Sequence, residues 1–344
     1  MDKVYVLSHT DLDGHLSAGL VEFYYKRFID KDAEIKHKSW TYGRNLPSVD
    51  HIKKHYDKVF IVDLCPDPNT FMLNLFAHFK DKLIWIDHHI KPDVEFEEMF
   101  KLQYPGNSIK GLRADEEHRT SAALLTFKYF EANYNADCNI NHIPTWLKYC
   151  SDFDCWNKYD DTIWNSRIMP IYSALKGIIT NPSLAYNYIQ KRYDSGNYYD
   201  SIHVIGGEPE FYNYQTDSEI KEGQILYKGI LSIYKAEAIH GFERILPIEM
   251  NGEYRTIRAW ICNTQNRSSV IFEQMENIDD YDVFIPYHFN GEKYFYSMYT
   301  FKKDIKCNQI AILNASDNQV ILTFNGHDDA AGSNSEKFAF PNNR

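Results

Sequence analysis

Four consecutive apolar residues, Leu83-Ile84-Trp85-Ile86, end abruptly in Asp87-His88-His89. Preceded by the charged Lys80-Asp81-Lys82, the run predicts a short strand buried on both faces, as inside a parallel sheet. Its polar end then falls at the carboxyl edge, where ligands bind in open α/β sheets. The same event occurs twice upstream. Val4–Leu7 empties into Ser8-His9-Thr10-Asp11-Leu12-Asp13-Gly14, and Val59–Val62 empties into Asp63. Parallel neighbouring strands bring these acids and imidazoles to one edge, and buried carboxylates that cluster need a cation to offset them. A metal site is therefore expected there. The plainer alternative is a turn in which Asp87 caps a helix and one histidine packs.

Around these strands the chain alternates with helical spacing. His15 to Ile29 predicts a helix, Ala33 to Trp40 a strand, Pro47 to Tyr56 a helix, and Asn69 to Phe79 another after the turn at Pro66 and Pro68. A helix over Ala122 to Phe130 can be capped by Thr120 or Ser121, and one over Asn141 to Tyr149 leads to a further acidic pair, Asp152 and Asp154. Met169 to Arg192 reads as helical with a break at Thr180-Asn181-Pro182, and Asp194 to Gly207 as loop. Ser218 to Ala238 is an amphipathic helix suited to connect two domains. Beyond it come short runs of β-formers, Ile245 to Met250, Thr256 to Cys262, Val283 to Tyr287 and Lys293 to Tyr299, with Asn251-Gly252 and Asn290-Gly291 as hairpin turns. Near the end, Gly326-His327-Asp328-Asp329-Ala330-Ala331-Gly332 reads as a Gly-bounded loop whose amides can approach an anion.

The expected architecture is α/β. A catalytic domain over residues 1–215 holds a parallel sheet with helices on both faces, a connector helix follows over 216–242, and a smaller α/β domain with a mixed sheet covers 243–344. At 344 residues the chain is long enough for two cores. Net charge is −11, which argues against a long basic groove tracking many phosphates but is compatible with a short anionic substrate held by metal ions. The six cysteines form no C-x-x-C pair and read as reduced thiols. With no apolar run near 18 residues and no signal-like start, a soluble cytoplasmic protein is expected, with no membrane or long-duplex partner, as a monomer or homodimer.

Taken together, Asp11-Leu12-Asp13-Gly14, Asp63, Asp87-His88-His89, Asp152-Phe153-Asp154 and the C-terminal Gly-His-x-x-Ala-Ala-Gly resemble the DHH phosphoesterase superfamily, in family order and over most of the chain. The resemblance implies a DHH domain followed by a DHH-associated substrate-binding domain. It also implies two divalent ions, manganese foremost, with magnesium or cobalt as alternatives. Asp63 would bridge the ions, Asp11 and Asp152 would complete one, and Asp13 and His88 the other; Asp154 is the alternative to Asp152, and His9 an additional ligand. His89 is placed beside the ions, orienting a ligand or touching phosphate, and His327 on the substrate side, contributing to turnover. Gly326, Ala330, Gly332, Ser297 and Tyr299 are expected to contact substrate. Many relatives carry an arginine at the place of Tyr299; here Arg267, with Ser268 and Ser269, is the candidate to supply the missing positive charge and hydroxyls, and Arg119 is a further expected substrate contact.

The function implied is hydrolysis of short oligonucleotides, similar to the nanoRNase branch. The alternatives are hydrolysis of cyclic dinucleotides or nucleoside bisphosphates, an exonuclease on single-stranded DNA, and a nucleotide sensor without turnover. The complete set of acids argues against the sensor, and the net charge against the exonuclease.

Overall fold

The computed structural model describes residues 1–113, 120–134, 143–198, 201–205, 208–212, 214–264, 269–326 and 330–340. The chain divides into two compact units, Met1–Tyr227 and Lys228–Arg344.

The first unit is built on four parallel strands, β1 (Lys3–Ser8), β2 (Glu34–Ser39), β3 (Lys58–Val62) and β4 (Leu83–Ile86), in the order β2-β1-β3-β4. All four run the same way, so every strand delivers its last residue to one edge. Side chains alternate between the faces as the pleat requires. Val4, Val6, Phe60, Val62, Ile84 and Ile86 pack on one side. Tyr5, Leu7, Val59, Ile61, Leu83 and Trp85 pack on the other. Both faces of β1, β3 and β4 are covered, which is why these three read as apolar runs, whereas the edge strand β2 is polar and only half-buried.

The helices follow in chain order: α1 (Leu12–Phe28), α2 (Val49–His55), α3 (Thr70–Phe79), α4 (Ile90–Gln103), α5 (Ala122–Tyr134), α6 (Thr145–Asp154), the short α7 (Asp161–Ile163), α8 (Met169–Ile178) and α9 (Pro182–Asp194). Residues from α1, α5, α6, α8 and α9 cover the first face, and residues from α2, α3 and α4 the second. Helix α4 begins directly after His89. Where a loop was expected between Asp194 and Gly207, the described residues instead form an antiparallel hairpin, β5 (Ser201–Ile205) with β6 (Glu208–Tyr212). Its register, rather than any alternation of apolar residues, makes it a hairpin.

Helix α10 (Tyr214–Ala238) crosses the boundary between the units. Its first half is held by Arg192, fully buried, whose guanidinium donates to Glu219 Oε2 at 2.6 Å and to Thr216 Oγ1 at 3.1 Å. Gly223 meets α8 so closely that a Cβ there would sit 1.9 Å from the Pro170 carbonyl oxygen. Gly223→Ala gains up to about 1 kcal/mol of helix propensity but must push the two helices apart, an overpacking cost of about 1–3 kcal/mol. A lower melting temperature is expected by calorimetry. A higher one would show that α10 is not seated against Pro170.

The second unit carries eight strands, β7 (Phe242–Met250), β8 (Glu253–Asn263), β9 (Val283–Phe289), β10 (Tyr294–Tyr299), β11 (Ile310–Leu313), β12 (Val320–Thr323), β13 (Asn325–Gly326) and β14 (Ala330–Ser335), in the order β12-β11-β7-β8-β9-β10-β14-β13. The β8–β9 pair is parallel and the rest antiparallel, so the sheet is mixed. Asn251 and Gly252, both at positive φ, turn β7 into β8. Asn290 turns β9 into β10 by accepting the Glu292 and Lys293 amides on its side chain. Among the described residues no helix is long and apolar enough to cross a membrane.

Candidate metal centre

Strand β1 leads into α1 through His9-Thr10-Asp11. Asp11 caps that helix, its Oδ1 accepting the Gly14 amide at 2.9 Å while Oδ2 lies 2.6 Å from His9 Nδ1. Gly14 has no room for a side chain, because a Cβ would fall 2.5 Å from the His9 carbonyl oxygen. Within the first turn of the same helix, buried Asp13 accepts the amides of Ala122 at 2.8 Å and Ala123 at 3.1 Å, and so caps α5.

Asp63 follows β3 in the left-handed region, at φ 61°, which for a side-chain-bearing residue costs on the order of 1 kcal/mol. The strained backbone turns its carboxylate into the same edge. Oδ1 lies 3.3 Å from His88 Nε2, Oδ2 lies 3.8 Å from His9 Nδ1, and Oδ2 is buried without a hydrogen-bond partner.

After β4, fully buried Asp87 accepts the His88 amide and the His89 ring Nδ1, each at 2.8 Å on Oδ1. It thereby fixes which ring atom of His89 faces outward. At the end of α6, Asp154 Oδ2 lies 3.3 Å from His88 Nε2.

The electrostatics follow from the crowding. Burial, then the charges of Asp11, Asp13, Asp154 and Asp87, push the Asp63 carboxyl well above its usual range. Asp154 is raised by burial and by Asp13 and Asp11. Burial also pushes Asp13 up to about 6, its three hydrogen-bond donors partly offsetting this. For Asp11, desolvation within the cluster raises and the His9 ring with the Gly14 amide lowers, and the net lies below the usual carboxylate range. Burial works against a charged His89, yet the neighbouring Asp87 outweighs it and the ring is raised.

Three sets of ligand atoms each lie within 4.8 Å of one another: His9, Asp11 and Asp63; Asp63, His88 and His89; and His88, Asp154 and Cys155. Asp63 is shared by the first two. Asp13 enters the cluster by charge while both its oxygens serve the N-terminus of α5. Asp152, expected beside Asp11, is instead held by Lys148 Nζ at 2.5 Å and Asn157 Nδ2 at 3.4 Å, and Asp154 takes the place beside His88.

Sequence reasoning missed two neighbours. Cys155 Sγ lies 3.8 Å from His88 Nδ1, and its position directly after Asp154 was a usable signal. The Tyr42 ring lies 6.1 Å from His9, and its hydroxyl accepts the Cys65 amide at 3.3 Å; nothing in the local sequence marks it.

In the second unit, Gly326, Ala330 and Gly332 are on strands rather than in an open loop. Gly326 belongs to β13, and Ala330 and Gly332 to β14. The register pairs Ser297 with Gly332 and Tyr299 with Ala330, which puts these four on one face of the sheet. His327, Arg267, Ser268 and Arg119 lie outside the described residues.

No sequence family and no curated protein matches the chain. Solved structures do match. A DHH-domain structure, described as a member of a family of ribosomal proteins, aligns with 96% of this chain and 82% of its own, at 12% identity and a TM-score of 0.55. Exonuclease RecJ bound to manganese aligns over 96% and 85% of the two chains, at 12% identity and a TM-score of 0.42. A pGpG-specific phosphodiesterase from Vibrio cholerae aligns over 97% and 93%, at 10% identity and a TM-score of 0.42. The first of these likenesses shows that the chain has the DHH-domain fold.

Proposed function

We propose that this chain, built on the DHH-domain fold, is a metal-dependent phosphodiesterase that hydrolyses short oligonucleotides. The observation that carries the proposal is Asp63: a carboxylate 1% exposed, with one oxygen lacking a hydrogen-bond partner, set among other acids whose charges oppose its ionisation. Such a group is stable as an anion only when a cation faces it. The donors fit divalent ions of the manganese type, since carboxylates and imidazoles predominate.

His9, Asp11 and Asp63 would hold one ion, and Asp63, His88 and Asp154 the second. Bound there, the ions would polarise a phosphoryl oxygen and lower the pKa of water. The chain's own residues do the rest. Asp87 locks His89 by its Nδ1, leaving the other ring nitrogen to meet a phosphate oxygen, and the raised pKa of His89 favours the protonated, donating form. Asp13 ties α1 to α5 and so keeps Asp11 in register with Asp63. Net charge of −11 supports a substrate with few phosphates.

The test offers the purified protein, with Mn²⁺, 5′-labelled RNA and DNA of graded length, cyclic dinucleotides and adenosine bisphosphate. The rate per molecule is expected to be highest at two to five nucleotides and to depend only weakly on salt, because few phosphates are engaged. Faster degradation of long strands with a steep salt slope would replace this assignment with a processive exonuclease, and hydrolysis of the cyclic or bisphosphate substrates alone would replace it with that narrower activity.

A further inference from the structure

The second unit has a hollow of about 360 Å³ at the sheet's β13–β14 end, lined in part by Phe295, Thr323, Asn325, Gly332 and Asn334. Its walls follow from the register. Phe295 pairs with Asn334 across β10 and β14, and Gly332 pairs with Asn325 across β14 and β13, so these residues share one face. On the other side Phe295 pairs with His288 of β9, and the two rings stack at 5.3 Å with 16° between their planes. Gly332 leaves the floor open, since a Cβ there would approach nothing nearer than the Tyr296 carbonyl oxygen at 3.9 Å.

The chemistry of these walls selects a ligand. None of the lining residues carries a charge, so a phosphate finds no counter-ion there. Two primary amides each offer a donor pair and an acceptor, the complement of the edge of a heterocyclic base. Beside them a half-buried aromatic ring, already stacked on its neighbour, offers a plane on which a flat ring lies. The volume is at the small end of ligand sites, enough for one ring system and its sugar.

We propose that this hollow is a nucleobase subsite, in which Phe295 stacks on one base and Asn325 and Asn334 bind its edge. The subsite rests on the assignment of the protein as a nucleotide phosphodiesterase and adds to it the part of the substrate that the second unit recognises. It lies on the sheet face that also carries Ser297 and Tyr299.

The experiment is a calorimetric titration of the full chain, free of metal, with adenosine 5′-monophosphate and separately with ribose 5-phosphate, which keeps the sugar and phosphate and has a hydroxyl in place of the base. The nucleotide is expected to bind at least about tenfold more tightly, the scale of one base–aromatic contact. Asn334→Ala, at an exposed strand position, and Phe295→Ala should each erase most of that preference while ribose 5-phosphate binding stays as it was. Should Phe295→Ala fail to fold by circular dichroism, Asn334→Ala reads the same quantity. Equal affinity for the two compounds, no saturable binding of the nucleotide at millimolar concentration, or full preference retained in Asn334→Ala would overturn the subsite; in the last case the sugar or another surface makes the contact. Hydrolysis is assayed on the same preparation with Mn²⁺. A preparation that cleaves dinucleotides without any preference for the base keeps the proposed activity and loses the subsite, and one that prefers the base but cleaves nothing does the reverse.

Discussion

Asp63→Asn is expected to abolish hydrolysis and, at the same time, to raise the melting temperature of the metal-free protein. The activity loss follows from the shared position of Asp63 between His9–Asp11 and His88–His89. Removing its charge would weaken both proposed ion positions, and metal-borne charge stabilisation of several kcal/mol corresponds to on the order of a thousandfold or more in rate. The gain in stability comes from removing a buried like charge whose own oxygen has no hydrogen-bond partner. Its sign with pH is fixed. Folding raises the Asp63 pKa, so above the ordinary aspartate value near 3.9 the unfolded chain gives up a proton that the folded chain keeps. Stability of the metal-free wild type therefore falls as pH rises from there through the raised folded value. Asparagine has no such term, so the variant's advantage in melting temperature should be widest near pH 8 and narrow toward pH 4. Equal melting curves across that range, or near wild-type turnover, would contradict this account of the cluster.

Adding divalent ions should reverse that pH trend in the wild type. Each ion that binds only the folded chain stabilises it by about 2.7 kcal/mol at a hundred times its Kd, and a domain of this size gains about 2–4 °C per kcal/mol. Binding requires ionised carboxylates and neutral imidazoles, so it strengthens as pH rises. The melting temperature with saturating Mn²⁺ is accordingly expected to climb with pH where the metal-free protein's falls. Chelation should return it to the lower curve and stop hydrolysis.

Much of the cluster's placement could be read from the residues alone because β3 and β4 are buried on both sides. Lys58–Val62 and Leu83–Ile86 end where their apolar runs do, so the position of each following acid at the sheet edge needed no tertiary information. The phase of α6 did. Asp152 and Asp154 are two residues apart on a helix, about 200° around its axis, and only one of them can face β4. That choice is made by Trp146, Leu147 and Cys150, which bury the opposite phase and leave Asp152 to Lys148. The sequence also hid Asp13's double duty, since its partners Ala122 and Ala123 are more than a hundred residues away.

In the second unit, strands β7 to β10 carry β-branched and aromatic residues with turn signals between them. Strand β14, Ala-Ala-Gly-Ser-Asn-Ser, has neither, and it is a strand because β10 and β13 pair with its backbone. The Gly-bounded loop expected there is consequently a pair of strands whose connecting residues 327–329 lie outside the described structure.

The central claim, that Asp63 joins two ion positions into one centre, is tested most directly by titrating the metal-free protein with Mn²⁺ under electron paramagnetic resonance. Two ions per chain are expected, with the exchange-coupled spectrum of a carboxylate-bridged pair, and Asp63→Asn should lose that coupling. A single ion per chain, two magnetically isolated ions, or no saturable binding at all would contradict it.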